Sequence, residues 1–424
     1  MRHPRERWRG MTRRDFLRSS IGAAALLPSA SAILAACSKP GSTPAGTSGG
    51  STGGGERILA RPDNPVTLPM VGEPIATTTP IESGTLRVYN WDAYFWKGAL
   101  KGFEEEYDVS IEWTTFNNME EGIQKLVAGQ VQADVFFPTT DYVARLVEGG
   151  HLQPLNHELI PHLEANYWPS FSNPGPWYDT EWRYTVPYVI YTTGVAYRRD
   201  RVDDADAQAA GYELFFDPAF GGAVSYYDSY RDALGMMLLR NGVTDANTGD
   251  PAAIADAKDA ILQIINENGG RLTINGTYAK LPEGEFTVSQ AWSGDIVGAK
   301  WYLPKDTPED VLGYWYPPDK KGLIGNDTIV IPATAQSPRL AHEFLNFLLD
   351  ERWGYLNFTQ YNGYQPPMTS IVPERLVDEG VVPESLALAV LGEENFTVGY
   401  SQGELSAEAD GLWLDAWSEI QAGG

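Results

Sequence analysis

Residues 85–149 constrain the fold most. Thr85-Leu-Arg-Val-Tyr-Asn90 alternates like a strand and ends at Trp91, and from Lys97 to Tyr107 the residues Leu100, Phe103 and Tyr107 share one helical face. Val109 to Phe116 is rich in β-formers, and Met119, Ile123, Leu126 and Val127 mark a second helix. Ala133-Asp-Val-Phe-Phe137 reads as a buried strand closed by Pro138, and Thr140 to Gly149 as a third helix. A β-α-β-α-β-α order predicts a parallel sheet covered by helices, an α/β domain.

The rest of the chain is consistent with a second such region. Residues 151–185 are loop-rich. Val186 to Tyr197 (VPYVIYTTGVAY) is long, apolar and β-branched, and reads as an extended segment leaving the first domain. Asp250-Pro251 is a helix start, because Asp caps free N–H groups and Pro fits the first turn. Ile254, Ala257, Ile261, Ile264 and Ile265 form the apolar face of that helix. Phe286 to Ser289 and Asn326 to Ile331 read as strands. Pro338 to Leu349 reads as a helix with Leu340, Phe344, Phe347 and Leu348 inward, and Leu412, Trp413 and Trp417 suggest a final amphipathic helix.

The N-terminus reads as an address. Arg13-Arg14-Asp15-Phe16-Leu17 precedes an apolar run from Ile21 to Ala36, too short for a bilayer span of about 20 residues. The order of basic, apolar and small residues is that of a signal peptide, and the paired arginines resemble a twin-arginine export signal. Leu34-Ala-Ala-Cys37 resembles a bacterial lipobox, which implies a diacylglyceryl anchor on Cys37 after cleavage; the alternative is a free Cys in an ordinary signal. The domain reading is therefore 1–36 signal, 37–83 flexible Gly/Ser/Pro-rich tether, 84–188 with 326–385 as one lobe, 189–325 as the other, and 386–424 as C-terminal helices packing on the lobes. Cys37 is the only cysteine, which excludes intrachain disulfides and Cys-rich metal sites. The net charge of −25 makes nucleic acid or anionic lipid an unfavourable main partner, and weakly favours cations.

No phosphate loop, nucleophile elbow or H-E-x-x-H motif occurs, and the five His lack ligand spacing. Asp204-Ala-Asp206 opens like a calcium loop, but Ala209 stands where Gly is required. No catalytic residue, metal or cofactor is expected. What remains is aromatic and acidic. Trp91, Tyr94, Phe95 and Trp96, then Tyr142, Trp292, Trp315, Tyr316, Tyr361 and Tyr364 cluster where strands end. Asp92, Asp141, Asp228, Asp232, Asp295 and Asp327 lie in matching places. Ligands of open α/β sheets sit beyond the carboxyl ends of strands, and aromatic faces attract ammonium groups. The plain alternatives are core packing for a ring and helix capping for an Asp.

Several motifs together resemble the spermidine/putrescine-binding family, the solute-binding subunits of polyamine ABC importers. They are Val88-Tyr-Asn-Trp91-x-x-Tyr94, Ala133-Asp-Val-Phe-Phe-Pro-Thr-Thr-Asp-Tyr-Val143, Glu148-Gly-Gly-His-Leu-Gln-Pro-Leu155, Val186-Pro-Tyr, Asp228 to Arg231, Trp292-Ser-Gly, Asp327 to Pro332, Asn346-Phe-Leu-Leu349 and Gly363-Tyr364-Gln-Pro-Pro367. The resemblance implies a two-lobed periplasmic-binding-protein fold of type II with ligand in the cleft. It implies stacking by Trp91, Tyr94 and Trp292, amine binding by Asp327 and Asp232, and a cleft tyrosine at Tyr364. Three positions depart from the family pattern: Ser229 where an Asp is frequent, Asp141 where a cleft Tyr stands, and Gly325 where a Trp stands. Asp228, the neighbour of Ser229, and Asp141 are the two alternatives for the missing acid, and Asp141 joins the candidate set.

The resulting expectation is a monomeric, lipid-anchored binding protein that passes a polyamine or related cation to an ABC permease and its ATPase, outside the cytoplasmic membrane. An amino acid or phosphonate ligand is the alternative within that role, and Arg231 or Lys300 would then face the cleft. An exported enzyme or a surface lipoprotein on a related fold are the rivals outside it.

Overall fold

The computed structural model describes residues 59–423 apart from Ala93, Asn117, Glu164 and residues 172–176. The paired arginines, the lipobox and Cys37 lie outside the described residues. The first three strands are β1 (Thr85–Trp91), β2 (Ser110–Phe116) and β3 (Val135–Phe136), all parallel, in the order β2-β1-β3. The helices Lys97–Tyr107 and Met119–Val127 make the crossovers, where the periodicity placed them. Alternation along β1 divides its side chains between two cores. Leu86 and Val88 pack with Phe103 and Phe344, whereas Tyr89 packs with Phe116 and Phe136 on the opposite face.

The second sheet is mixed and is organised by β4 (Val186–Arg198), thirteen residues that are almost all buried. Its first half pairs antiparallel with β9 (Leu323–Ile329), from Val186↔Ile329 to Thr193↔Leu323. Its second half pairs antiparallel with β7 (Val288–Trp292) and β8 (Leu312–Trp315). One strand thus carries the chain out of the first α/β region and into the second. β5 (Val224–Tyr226) and β6 (Arg271–Leu272) extend the sheet in parallel beyond β7, and β10 (Tyr400–Ser401) covers β9. Phe136 and Val330 exchange backbone hydrogen bonds of 3.0 and 2.9 Å, which ties the end of β9 to the small sheet.

Pairing decided strand ends that pattern alone misplaced. The strand expected at 286–289 begins at Val288 and runs to Trp292, because its partner residues on β4 are Tyr197 to Thr193. Strands β5, β6 and β8 are two to four residues long, too short to show a period.

The helix Pro251–Asn268 is capped by Asp250, whose carboxylate accepts the Ala252 N–H at 2.9 Å. Its face of Ile254, Ala257, Ile261 and Ile264 joins a core with Phe215, Tyr226 and Met237. The final helix, Ala407–Gly423, adds Trp413, Trp417 and Ile420 to that core.

Residues 59–83, read from composition as part of a flexible tether, are bound along the body instead. Leu68 is buried against Tyr89, Phe116 and Phe136. Tyr184 holds both Pro69 O and Val71 N, and the Glu82 carboxylate accepts the Leu340 N–H at 2.8 Å at the start of the helix Pro338–Leu348. The prolines keep the segment extended, and its few apolar residues find pockets that composition does not reveal.

Candidate ligand-binding site

A single cavity gathers Trp91, Tyr94, Asp141, Asp232, Trp292, Asp327 and Tyr364, all seven residues singled out from the sequence. The fold explains their convergence. Trp91 ends β1 and Trp292 ends β7, so both project from carboxyl edges of strands. Asp141, Asp232 and Asp295 lie in the first turns of the helices Thr140–Glu148, Tyr230–Arg240 and Ser293–Gly298. None of the three is the capping residue, so capping does not account for them. Asp327 sits on β9, opposite Val189.

Asp232, Asp295 and Asp327 are buried, Asp141 is half-buried, and all four are held by neutral donors. Asp327, 3% exposed, accepts the Tyr94 hydroxyl at 2.5 Å and the Tyr191 hydroxyl at 3.4 Å. Asp232, 8% exposed, accepts Trp292 Nε1 at 2.9 Å, Ser229 Oγ at 2.9 Å and Thr193 Oγ1 at 3.2 Å. Asp295, 7% exposed, accepts the hydroxyls of Tyr364 at 2.6 Å and Tyr227 at 2.7 Å. Asp141 accepts Thr139 Oγ1 at 2.6 Å. Among the described residues no Lys, Arg or His forms an ion pair with these four acids.

Burial sets their acidity. It pushes the Asp327 carboxyl up to about 7, against the hydrogen bonds from Tyr94 and Tyr191, and the charges of Asp232 and Asp141 add to the rise. Burial likewise raises Asp295 to about 6 against the Tyr364 and Tyr227 bonds. Asp232 and Asp141 are raised as well, chiefly by burial. Buried carboxylates without a cation are costly, so these positions favour a proton or a positively charged guest.

Rings line the space between the acids. Tyr94 meets Tyr364 edge-on with centroids 5.0 Å apart, and Tyr191 meets Tyr364 at 6.0 Å and Trp292 at 6.1 Å. Trp292 stacks on Tyr227 at 4.1 Å. Gly294 makes this possible, since a Cβ there would stand 2.2 Å from the Tyr364 ring. Arg231 is the one cationic side chain among the described residues that line the cavity, and its charge acts on Asp141. Arg231 Nη2 donates to Asn247 Oδ1 at 2.7 Å and Gly403 O at 3.1 Å, and its guanidinium lies 4.7 Å from the Trp413 ring. Lys300 donates to Val381 O and does not line the cavity.

Comparison with known proteins gives this geometry a context. Residues 98–381 match the family described as bacterial extracellular solute-binding protein. The chain belongs to this family. A spermidine/putrescine-binding periplasmic protein of Haemophilus influenzae is 26% identical over 279 residues, 65% of this chain and 74% of that protein. A putrescine/agmatine-binding protein of Pseudomonas aeruginosa is 28% identical, over 84% of this chain and 97% of that one. The solved spermidine/putrescine ABC transporter substrate-binding protein PotD of Streptococcus pneumoniae shares the fold, with a TM-score of 0.63 at 21% identity, covering 80% of this chain and 99% of that one. As a bacterial extracellular solute-binding protein, the chain is a non-enzymatic, extracytoplasmic transport component.

In this solute-binding protein the departures have structural answers. Tyr191 lies opposite Gly325 in the β4–β9 register, and a Cβ on Gly325 would come 2.4 Å from its ring. Tyr191 thus fills the space a side chain at 325 would claim. Ser229 donates to Asp232 instead of adding an acid. Tyr191, Tyr227 and Glu120 carry no signal in the sequence that marks them as site residues. Tyr191 is hidden in an apolar run whose signal is simply strand. Glu120, which accepts the Tyr142 hydroxyl at 2.9 Å, resembles any first-turn acid. Conversely Phe95, Trp315 and Tyr316 belong to cores rather than the cavity; Trp315 packs against Tyr212 with centroids 4.8 Å apart.

Proposed function

We propose that this solute-binding protein captures a polyamine or related organic cation. The observation that carries the reading is the set of buried carboxylates at Asp232, Asp295 and Asp327, with the half-buried Asp141 beside them, that accept from neutral donors and form no ion pair among the described residues. Ammonium groups pair with Asp232 and Asp327, joined by Asp295 and Asp141. The methylenes lie against Trp91, Tyr94, Trp292 and Tyr364. The relatives' names point the same way. Two lobes, 84–188 with 326–385 and 189–325, close on the ligand by a hinge motion, water leaves, and the charge pairs strengthen in the lower dielectric. The closed monomer docks on the permease. The export signal and the Cys37 lipobox support anchoring to the outer face of the cytoplasmic membrane.

The test is calorimetric titration of the full chain, stripped of ligand by unfolding and refolding, with putrescine, spermidine and spermine, and with glutamate and phosphate as anionic controls. One polyamine binds at micromolar affinity or tighter. Asp327→Asn weakens it by about 1.5–3 kcal/mol, the range for a hydrogen bond to a charged group. Silence from every polyamine, or binding of an anion, overturns the ligand assignment. For the anchor, Cys37→Ala releases the protein from membranes and abolishes incorporation of labelled palmitate; retention of both in the variant rejects lipidation there.

A further inference from the structure

Two cores that are separate elsewhere meet at residues 402–410, an arm between β10 and the final helix. On one side the arm belongs to the core of Phe215, Tyr226 and Met237, which Leu405 and Ala409 join. There Arg231 Nη2 donates to Gly403 O at 3.1 Å, the Gly403 N–H donates to Asn247 Oδ1 at 2.7 Å, and Tyr230 donates to Asp410 at 3.0 Å. On the other side stands the helix Thr140–Glu148, whose Val143, Leu146 and Val147 pack with Tyr89, Phe116 and Phe136. Its Arg145 reaches across. Nε donates to Glu404 at 2.6 Å, Nη1 to Asp410 at 3.2 Å and Nη2 to Leu405 O at 3.0 Å. The beginning of the segment 59–83 joins Arg145 on this side. Ala60 packs with Trp177 and Tyr178, and Val66 links that cluster to the core of Tyr89. A Cβ on Gly403 would stand 2.8 Å from Arg61 Nη1, 3.1 Å from Ala60 O and 3.2 Å from the Trp177 ring.

We propose that Arg145, with Ala60 and Trp177, forms a latch on the arm 402–410 that holds the two cores together around a bound ligand, so that residues outside the cavity set how long the ligand stays. The inference rests on the hinge-closure reading above and goes beyond it. Three arguments support it. First, one guanidinium makes three hydrogen bonds across the junction, two of them to carboxylates that are only 6% and 4% exposed, Glu404 and Asp410. Such charge-assisted bonds are strong, and losing one partner of a buried pair acts mainly on dissociation. Second, Gly403 is fitted to the junction. Its φ is not positive, so close packing against Ala60 and Trp177, not backbone freedom, explains a glycine there. Third, the arm reaches the ligand space. Gln402 and Arg231 line the cavity, and Gln402 Nε2 donates to Arg231 O at 2.6 Å, whereas Arg145, Gly403, Glu404 and Asp410 do not line it.

The experiment uses the full chain and its Arg145→Gln, Arg145→Lys and Gly403→Leu variants, each studied well below its thermal midpoint. Stopped-flow fluorescence follows putrescine and spermidine, since Trp91 and Trp292 line the cavity. Arg145→Gln and Gly403→Leu weaken both amines by the same factor, about five- to 150-fold, the range of coupling between distinct sites. The loss lies in the dissociation rate, with association within about twofold, and Arg145→Lys recovers part of it. Unchanged affinity in both variants, or a loss carried by association, overturns the latch and leaves the organic-cation reading standing. Small-angle X-ray scattering of the ligand-free proteins reads the latch without any ligand. Arg145→Gln has a larger radius of gyration than wild type, and equal radii overturn the latch. Failure of wild type to bind any polyamine overturns the parent reading, and the scattering comparison then decides the latch by itself.

Discussion

At the residue scale, Asp327 and Asp295 make the site sensitive to protons. Their carboxyls titrate near 7 and 6 because burial disfavours the charged form. An ammonium ligand favours the charged form, so binding expels protons. Affinity for a polyamine therefore falls as pH drops through 7 and then 6. At pH 6.5 the binding enthalpy changes with buffer ionisation enthalpy in the direction of proton release, and a buffer-independent enthalpy contradicts this. The ligand-free protein shows the opposite dependence. Between the ordinary Asp value of 3.8 and the raised values the native state binds more protons than the unfolded chain, so stability falls as pH rises through this window. The thermal midpoint without ligand is higher at pH 5 than at pH 7.5 as far as these groups contribute, and Asp327→Asn/Asp295→Asn flattens the slope.

At the element scale, the β4–β9 register pairs Tyr191 with Gly325, so one strand donates the ring and the other leaves room for it. Gly325→Trp drives its side chain into Tyr191 and lowers ligand affinity at least tenfold, a roughly 1.4 kcal/mol loss. Adding Tyr191→Ala makes the space again and recovers part of that loss. Additive damage in the double variant, read by the same titration, shows that the two positions do not share one volume. Another inter-element contact is Arg145, on the helix Thr140–Glu148. It pairs with Glu404 at 2.6 Å and Asp410 at 3.2 Å, next to the start of the final helix, while Tyr230 donates to Asp410 at 3.0 Å. Arg145→Leu removes the cation shared by two buried carboxylates and lowers stability by about 2–4 kcal/mol. The urea midpoint measures it, and an unchanged midpoint rejects the structural role.

At the scale of the whole molecule, residues 59–83 bind along the body. A chain beginning at residue 84 loses the burial of Leu68, worth about 2 kcal/mol, and the Glu82 contact at the helix Pro338–Leu348. It unfolds at lower urea than a chain beginning at residue 59. Equal midpoints for the two show that the strap adds nothing to stability.

The sequence by itself determined the local elements and the chemistry of the site. Helix periods are local, which is why Lys97–Tyr107 and Met119–Val127 came out at their observed ends. The acids and rings of the cavity were legible because they stand at strand ends and first turns, where the turn from strand to helix places side chains at the sheet edge. Only tertiary structure decided what depends on pairing and packing between distant segments. It alone set the two-sided role of β4, the start of β7 at Val288, the binding of residues 59–83 along the body, and the choice of Tyr191 over Trp315 or Tyr316 as a cavity ring. A ring's own sequence neighbourhood does not record which side of a sheet faces water and which faces a ligand. That is set by the register with a partner strand more than a hundred residues away, as between Tyr191 and Gly325.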